Sequence, residues 1–177
     1  MDFPRDLVLP DGLVTISPYH QCSVGATIGS MGGPYSSTWA SASRAIFVPF
    51  RIPRSILVLN MWTYNGAAVG NNLDIGIYSK DGTRLVSSGS TAQAGINVIQ
   101  TLDITDTLIG PGLFYMALSF DGTVSTVFRS LPGNIVFPRI LGMVSMNNAF
   151  PLPASAVFAT LASSTIPVFG LTVRSIV

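Results

Sequence analysis

The sequence predicts an all-β protein, a two-sheet antiparallel β-sandwich preceded by an extended N-terminal arm. Glutamate is absent and lysine occurs once in 177 residues, although both residue types commonly fill the exposed faces of helices. Runs of Val, Ile, Thr, Phe and Tyr are instead interrupted by Gly and Pro at short intervals, which is typical of strands joined by turns. A single domain of this length can bury roughly two-thirds of the surface of its unfolded chain, so it needs no disulfide framework.

The pattern predicts about ten strands, enough for two packed sheets. They are expected near residues 44–50, 55–64, 73–79, 83–89, 96–105, 113–120, 124–129, 135–144, 156–162 and 168–176. The prediction assigns residues 1–43 to the arm and residues 44–177 to the sandwich. The arm contains PYHQCSVGATIGSMGGPYSSTWASAS, whose Gly-rich and Ser-rich composition fits a loosely ordered attachment segment better than an array of strands.

The clearest local unit is the stretch LDIGIYSKDGTRLVSSG. Leu73, Ile75 and Ile77 alternate with other residue types, so one face of this strand is predicted to be buried and the other mixed. Asp81 and Gly82 then supply the positive-φ turn of a tight hairpin. Two further strands, one within GPGLFYMALSFDG and one at residues 55–64, are apolar on both faces. Such a strand is either central in the fold or covered by a partner subunit.

The charge composition limits the possible partners. Charged residues make up 10% of the chain, where a typical soluble domain has about 25%. The net charge of +1 and the lack of a dense Lys/Arg cluster argue against nucleic-acid binding. Mean hydropathy is positive, but prolines, asparagines and serines interrupt the uncharged stretch from Leu141 to Val173, so no membrane span is predicted. A charge-poor surface of this kind is expected to be buried in a stable homo-oligomer.

The residues that could carry chemistry do not form a recognisable active site. His20 and Cys22 would need further partners to act as base and nucleophile, and their loop-like surroundings supply none. Asp103 and Asp106 are close in sequence, but the alternation around Asp103 predicts a surface position or a turn rather than one side of a hydrolytic cleft. Calcium could bind aspartates at strand ends, although no loop of regularly spaced oxygen ligands is present. These aspartates are Asp74, Asp81, Asp103, Asp106 and Asp121. We predict no catalytic residue, no metal site, no cofactor and no enzymatic activity.

Four aromatic residues are candidates for ligand binding, because flat rings with a polar edge can stack on sugar rings and anchor interfaces. They are Trp39, Trp62, Tyr64 and Tyr35. Trp62 and Tyr64 share a predicted strand face, while Tyr35 and Trp39 lie in the predicted arm. The alternative role of the two tryptophans is packing in the core or in a subunit interface.

A resemblance covers about residues 70–122. The order of a strand, a KDG hairpin, a strand ending in SSGS, a strand containing LDIT and then GPGLFYMALSFDG resembles the jelly-roll β-sandwich modules of tailed-phage virion proteins. These include head fibres, capsid decoration proteins and tail-associated receptor-binding proteins.

The resemblance implies a jelly-roll fold and a non-enzymatic virion component that is assembled in the host cytoplasm. Its expected partners are copies of itself in a homotrimer and other virion proteins, reached through the N-terminal arm. The alternative function is a module that binds carbohydrate or a host receptor, with a host-surface glycan as its ligand.

The N-terminus lacks the basic region and long apolar run of a secretory signal, so no export signal is predicted.

Overall fold

The structure, a computed structural model, describes residues 13–16, 35–130, 135–161 and 165–175. More than half of these residues lie in antiparallel strands and almost none in a helix, which confirms the prediction of an all-β sandwich. The strands are β1 (Leu13–Ile16), β2 (Tyr35–Thr38), β3 (Ala45–Ile52), β4 (Ile56–Tyr64), β5 (Asn72–Ser79), β6 (Arg84–Ser87), β7 (Thr91–Ala92), β8 (Ile99–Ile109), β9 (Gly112–Phe120), β10 (Thr126–Ser130), β11 (Val144–Met146), β12 (Ala159–Thr160), β13 (Ile166–Pro167) and β14 (Phe169–Ser175). A helix, α1 (Val136–Ile140), lies between β10 and β11.

The strands form two main sheets and one small sheet. The four-stranded sheet has the order β1-β14-β4-β8. The large sheet has the order β12-β11-β3-β9-β5-β6, with β7 also paired to β5. A three-stranded sheet of β13, β10 and β2 lies beyond the end of β4, where Asn65 bridges to Val127.

The main core lies between the large sheet and the four-stranded sheet. Alternate residues of the large sheet, such as Val48, Ile75 and Met116, share one cluster of buried side chains with Met61 and Leu171 of the four-stranded sheet. Period-two alternation therefore places one face of each sheet in the same apolar layer.

A second, smaller core lies on the other side of the large sheet. Residues 149–158, which we call the strap, cover this outer surface and bury Phe47 and Tyr78. The ring of Phe47 lies 5.1 Å from those of both Tyr78 and Phe158, measured between ring centroids. Strand β9, predicted to be apolar on both faces, therefore lies centrally between β3 and β5 with its second face toward the strap.

The predicted strand at residues 135–144 is wrong, because its first part is the helix α1. Pro138 has no N–H to give to a strand ladder, whereas in the first turn of a helix the N–H groups have no helical partner in any case. Gly142, at φ +81°, follows the helix and reverses the chain, and Met143 N donates to Pro138 O. The side chain of Arg139 donates to Leu161 O at 2.9 and 3.1 Å, which fastens the helix to the chain that follows the strap.

Parts of the predicted arm belong to the sandwich. Strand β1 pairs with β14, and β2 pairs with β10, so residues 13–16 and 35–38 extend two of the sheets. Trp39 follows β2 and is buried in the main core, where its Nε1 donates to Arg44 O at 3.0 Å. The rest of residues 1–34 lies outside the described residues. Within the described part of the chain, no helix has the length and apolar character needed to cross a membrane.

Candidate functional site

A buried polar cluster lies where the strap crosses β5 and β6. Three side chains of the large sheet hydrogen-bond to the backbone of two consecutive strap residues. Leu152 N donates to Asp74 Oδ2 at 2.9 Å, and Tyr78 Oη donates to Pro153 O at 2.6 Å. Arg84 Nη1 donates to Leu152 O. Together these bonds hold the middle of the strap against the sheet.

Burial raises the pKa values of Asp74 and Tyr78 in this cluster. Desolvation raises the pKa of the Asp74 carboxyl, and the donors from Leu152, Ser87 and Ser88 together with the charge of Arg84 offset part of that rise. Burial likewise raises the pKa of the Tyr78 phenol above its usual value. Since Asp74 and Tyr78 are fully buried and already bonded to the strap, the cluster acts as a structural lock.

The sequence did not reveal this lock. Period-two alternation predicted a mixed face for β5, and Asp74 was expected at a strand end or turn. The structure instead places Asp74 in the interior, because the strap adds a third layer over that face. Burying an aspartate requires hydrogen-bond donors, and Ser87 and Ser88 in the SSGS stretch supply two of them.

The second feature is the outer face of the four-stranded sheet, which points away from the main core. Val58 and Met61 of β4 and Leu171 of β14 point into the core. Because side chains alternate along a strand, their neighbours on β4 and β14 point outward. Rows of directly opposed residues cross this face from β14 through β4 to β8. The outer face consists of the rows Arg174–Leu57–Leu108, Thr172–Asn60–Asp103, Gly170–Trp62–Thr101 and Tyr64–Ile99. A register shift between Val58 and Asn60 keeps the rows on one face.

Apolar residues lie at both ends of the outer face, and charged residues lie on the two strands that pair with β4. Ile99 and Leu108 are 60% and 62% exposed. Arg174 on β14 and Asp103 on β8 are also exposed and lie on opposite sides of β4. When the side-chain amide of Asn60 is oriented so that its oxygen and its nitrogen both have suitable partners, Asn60 Nδ2 donates to Asp103 Oδ1 at 3.1 Å. The face therefore combines exposed apolar side chains with a cation on β14 and an anion on β8, and a second exposed carboxylate, Asp106, lies on β8 between Asp103 and Leu108.

The structure brings together two of the four aromatic candidates. Trp62 and Tyr64 both lie on the outer face; Trp62 is only 8% exposed, while half-buried Tyr64 stacks on Phe128 with ring centroids 4.0 Å apart. Trp39 is 2% exposed and packs against a core phenylalanine, which is the core alternative that the sequence left open. Tyr35 is 36% exposed and lies opposite Arg129 on β10, on the other face from Phe128.

The candidate metal ligands are dispersed. Among the described residues, no group of three or more His, Cys, Asp or Glu side chains is close enough to hold a metal ion. Asp81 pairs with Lys80 at 2.6 Å at the exposed hairpin turn, and Asp121 Oδ1 accepts from Asn72 N at 3.0 Å. His20 and Cys22 lie outside the described residues.

Comparison with models of known protein families, with curated protein sequences and with solved structures finds no match to this chain.

Proposed function

We propose that the chain is a non-enzymatic structural component of a phage virion, a jelly-roll protein that serves as a capsid decoration, a head fibre or a tail-associated protein. It forms a homo-oligomer, namely a trimer, and docks on other virion proteins through its N-terminal arm. The observation that carries the proposal is the outer face, which leaves the large apolar side chains of Ile99 and Leu108 exposed at its two ends. Exposed apolar side chains beside polar and charged ones can contribute to a contact with another protein.

The buried polar cluster supports a structural role. Asp74, Tyr78 and Arg84 are titratable residues of the second core, and each forms a hydrogen bond with the backbone of the strap. Their bonds stabilise a second core rather than orient a substrate. A subunit built for assembly benefits from such rigidity, because a preformed surface loses less conformational entropy when it binds.

The first test is the solution mass of the purified chain by light scattering after size exclusion, at micromolar concentration and again at about one-hundredth of it. We expect a mass of three chains at both concentrations, because obligate interfaces do not dissociate on modest dilution. A monomer at both concentrations would overturn the oligomer. Co-sedimentation of the chain with virions that lack it then tests docking, and an absence of bound protein would overturn the virion assignment.

Carbohydrate binding is a second candidate, favoured by the aromatic end of the outer face. Tyr64 and Phe128 stack beside exposed Ile99, and a phenol next to aliphatic surface can pack on the apolar face of a sugar ring. Binding to an array of host-surface glycans tests it. We expect Tyr64→Ala to weaken binding and Tyr35→Ala, on another surface, to leave it unchanged. Equal affinity in both variants would exclude this aromatic site.

A further inference from the structure

Two opposite charges of the outer face lie on the two strands that pair with β4. Arg174 lies on β14 and Asp103 lies on β8, with β4 between them. Strands in a sheet are spaced by about 4.8 Å, so the two side chains originate roughly 10 Å apart across the sheet. A second copy that approached this face would meet a cation on one side of β4 and an anion on the other.

The apolar residues of the face lie beside those charges. Leu57 lies directly between Arg174 and Leu108, and Leu108 is one of the most exposed apolar side chains in the described part of the chain. Leu57 is half-buried and Leu108 is exposed, and we call this pair the leucine row. With Arg174 at one end and Asp103 in the neighbouring row, it has the composition of an interface in which apolar contact supplies affinity and the charges set the register.

We propose that the outer face of the four-stranded sheet is the contact between copies of this chain, with Arg174 of one copy bound to Asp103 of the next. The leucine row packs across the same contact. Copies arranged head to tail around a rotation axis repeat this pair at every contact, so a closed ring pairs each Arg174 with an Asp103. Arg174 and Asp103 lie in neighbouring rows, an offset that the long arginine side chain can span.

This inference rests on the proposed function, since it names the surface through which the homo-oligomer forms. Both charged residues are exposed, so exchanging their charges is not expected to disturb the core. A charge exchange tests the pairing directly. Arg174→Asp places two anions in contact, Asp103→Arg places two cations in contact, and the double exchange restores one of each.

The experiment measures the association of the full chain by light scattering in a dilution series that extends below the concentrations of the first test until the oligomer dissociates, with circular dichroism to verify the fold. Each single exchange is expected to weaken association by at least about tenfold, because like charges across an interface repel. The double exchange should recover most of that loss. Lys80→Asp, an equal change of charge at the exposed hairpin turn, serves as the matched control and should leave association unchanged.

The outcomes separate the two proposals. A wild-type chain that is monomeric at every concentration overturns both the homo-oligomer and this surface. An oligomer that the single exchanges do not weaken, or that the double exchange fails to restore, leaves the homo-oligomer standing and overturns the outer face as its contact. As a second measurement on the same surface, Leu108→Arg should weaken association without altering the circular dichroism spectrum, and unchanged association would also overturn the contact.

Discussion

The contact between the strap and the hairpin turn can be tested by placing one methyl group on Gly82. This residue has φ +86°, and its carbonyl oxygen accepts from Ala156 N at 2.8 Å. A Cβ added at Gly82 would lie 2.4 Å from Ala156 O. Because that oxygen belongs to the backbone, it cannot rotate away, and the strap must move as a whole.

Gly89 provides a matched control for the conformational part of the effect. Its φ is +68°, and a Cβ added there would meet nothing within 4 Å. A non-glycine residue in the left-handed region costs about 1–2 kcal/mol, and the loss of glycine entropy in the unfolded chain returns about 0.4–1 kcal/mol. We therefore expect Gly89→Ala to lower the free energy of unfolding by about 1 kcal/mol.

Gly82→Ala should cost the same conformational amount plus the loss of the strap contact. One broken backbone hydrogen bond adds about 1–2 kcal/mol, so the expected loss is about 2–3 kcal/mol. Urea unfolding gives both free energies, and hydrogen exchange of residues 149–158 should rise in Gly82→Ala only. Equal losses in the two variants, with equal exchange of the strap, would refute the reasoning.

Three further predictions concern the buried lock and the two cores. Because burial raises the pKa of Asp74 above its unfolded value, its contribution to stability is complete below the unfolded pKa of about 3.9 and is lost as the pH rises through the folded pKa. Urea unfolding at several pH values should therefore show the wild type losing stability relative to Asp74→Asn over that rise, and parallel curves would contradict the assignment. Phe158→Ala should lower the free energy of unfolding by about 2 kcal/mol, while its exposed neighbour changed as Val157→Ala should stay within about 0.5 kcal/mol, so equal effects would count against the second core. Trp39→Ala should cost about 3–5 kcal/mol and Tyr35→Ala at most about 1 kcal/mol in the same assay, and a small effect at Trp39 would mean that it is not part of the core.

The sequence predicted elements that local chemistry determines. The Asp81-Gly82 turn forms, and the strands on either side of it pair as β5 and β6. Alternation correctly predicted the burial of Leu73, Ile75 and Ile77, since a period of two fixes which side chains share a face. Local patterns of this kind depend on neighbours a few residues apart, so a single sequence contains the information they need.

The strap could not be predicted in the same way, because alternation shows which face of a strand is apolar but not what covers it. The segment that covers β5 lies about 75 residues further along the chain, as the bond from Tyr78 to Pro153 shows. The role of Trp39 was left open between the core and ligand binding for a related reason. Its Gly-rich and Ser-rich surroundings indicate a loop, and only the three-dimensional fold places its ring beside Phe120.

The second core changes how the charge-poor composition should be interpreted. From the sequence, a surplus of apolar residues implied a large interface between subunits. The strap and the outer surface of the large sheet use part of that surplus within one chain, as the burial of Phe47, Tyr78 and Leu152 shows. The apolar area left for a partner is correspondingly smaller, and on the four-stranded sheet it is concentrated around Leu108 and Ile99. An interface with little apolar area depends more on charge pairing, so weakening of the oligomer by added salt would distinguish it from one held mainly by hydrophobic contact.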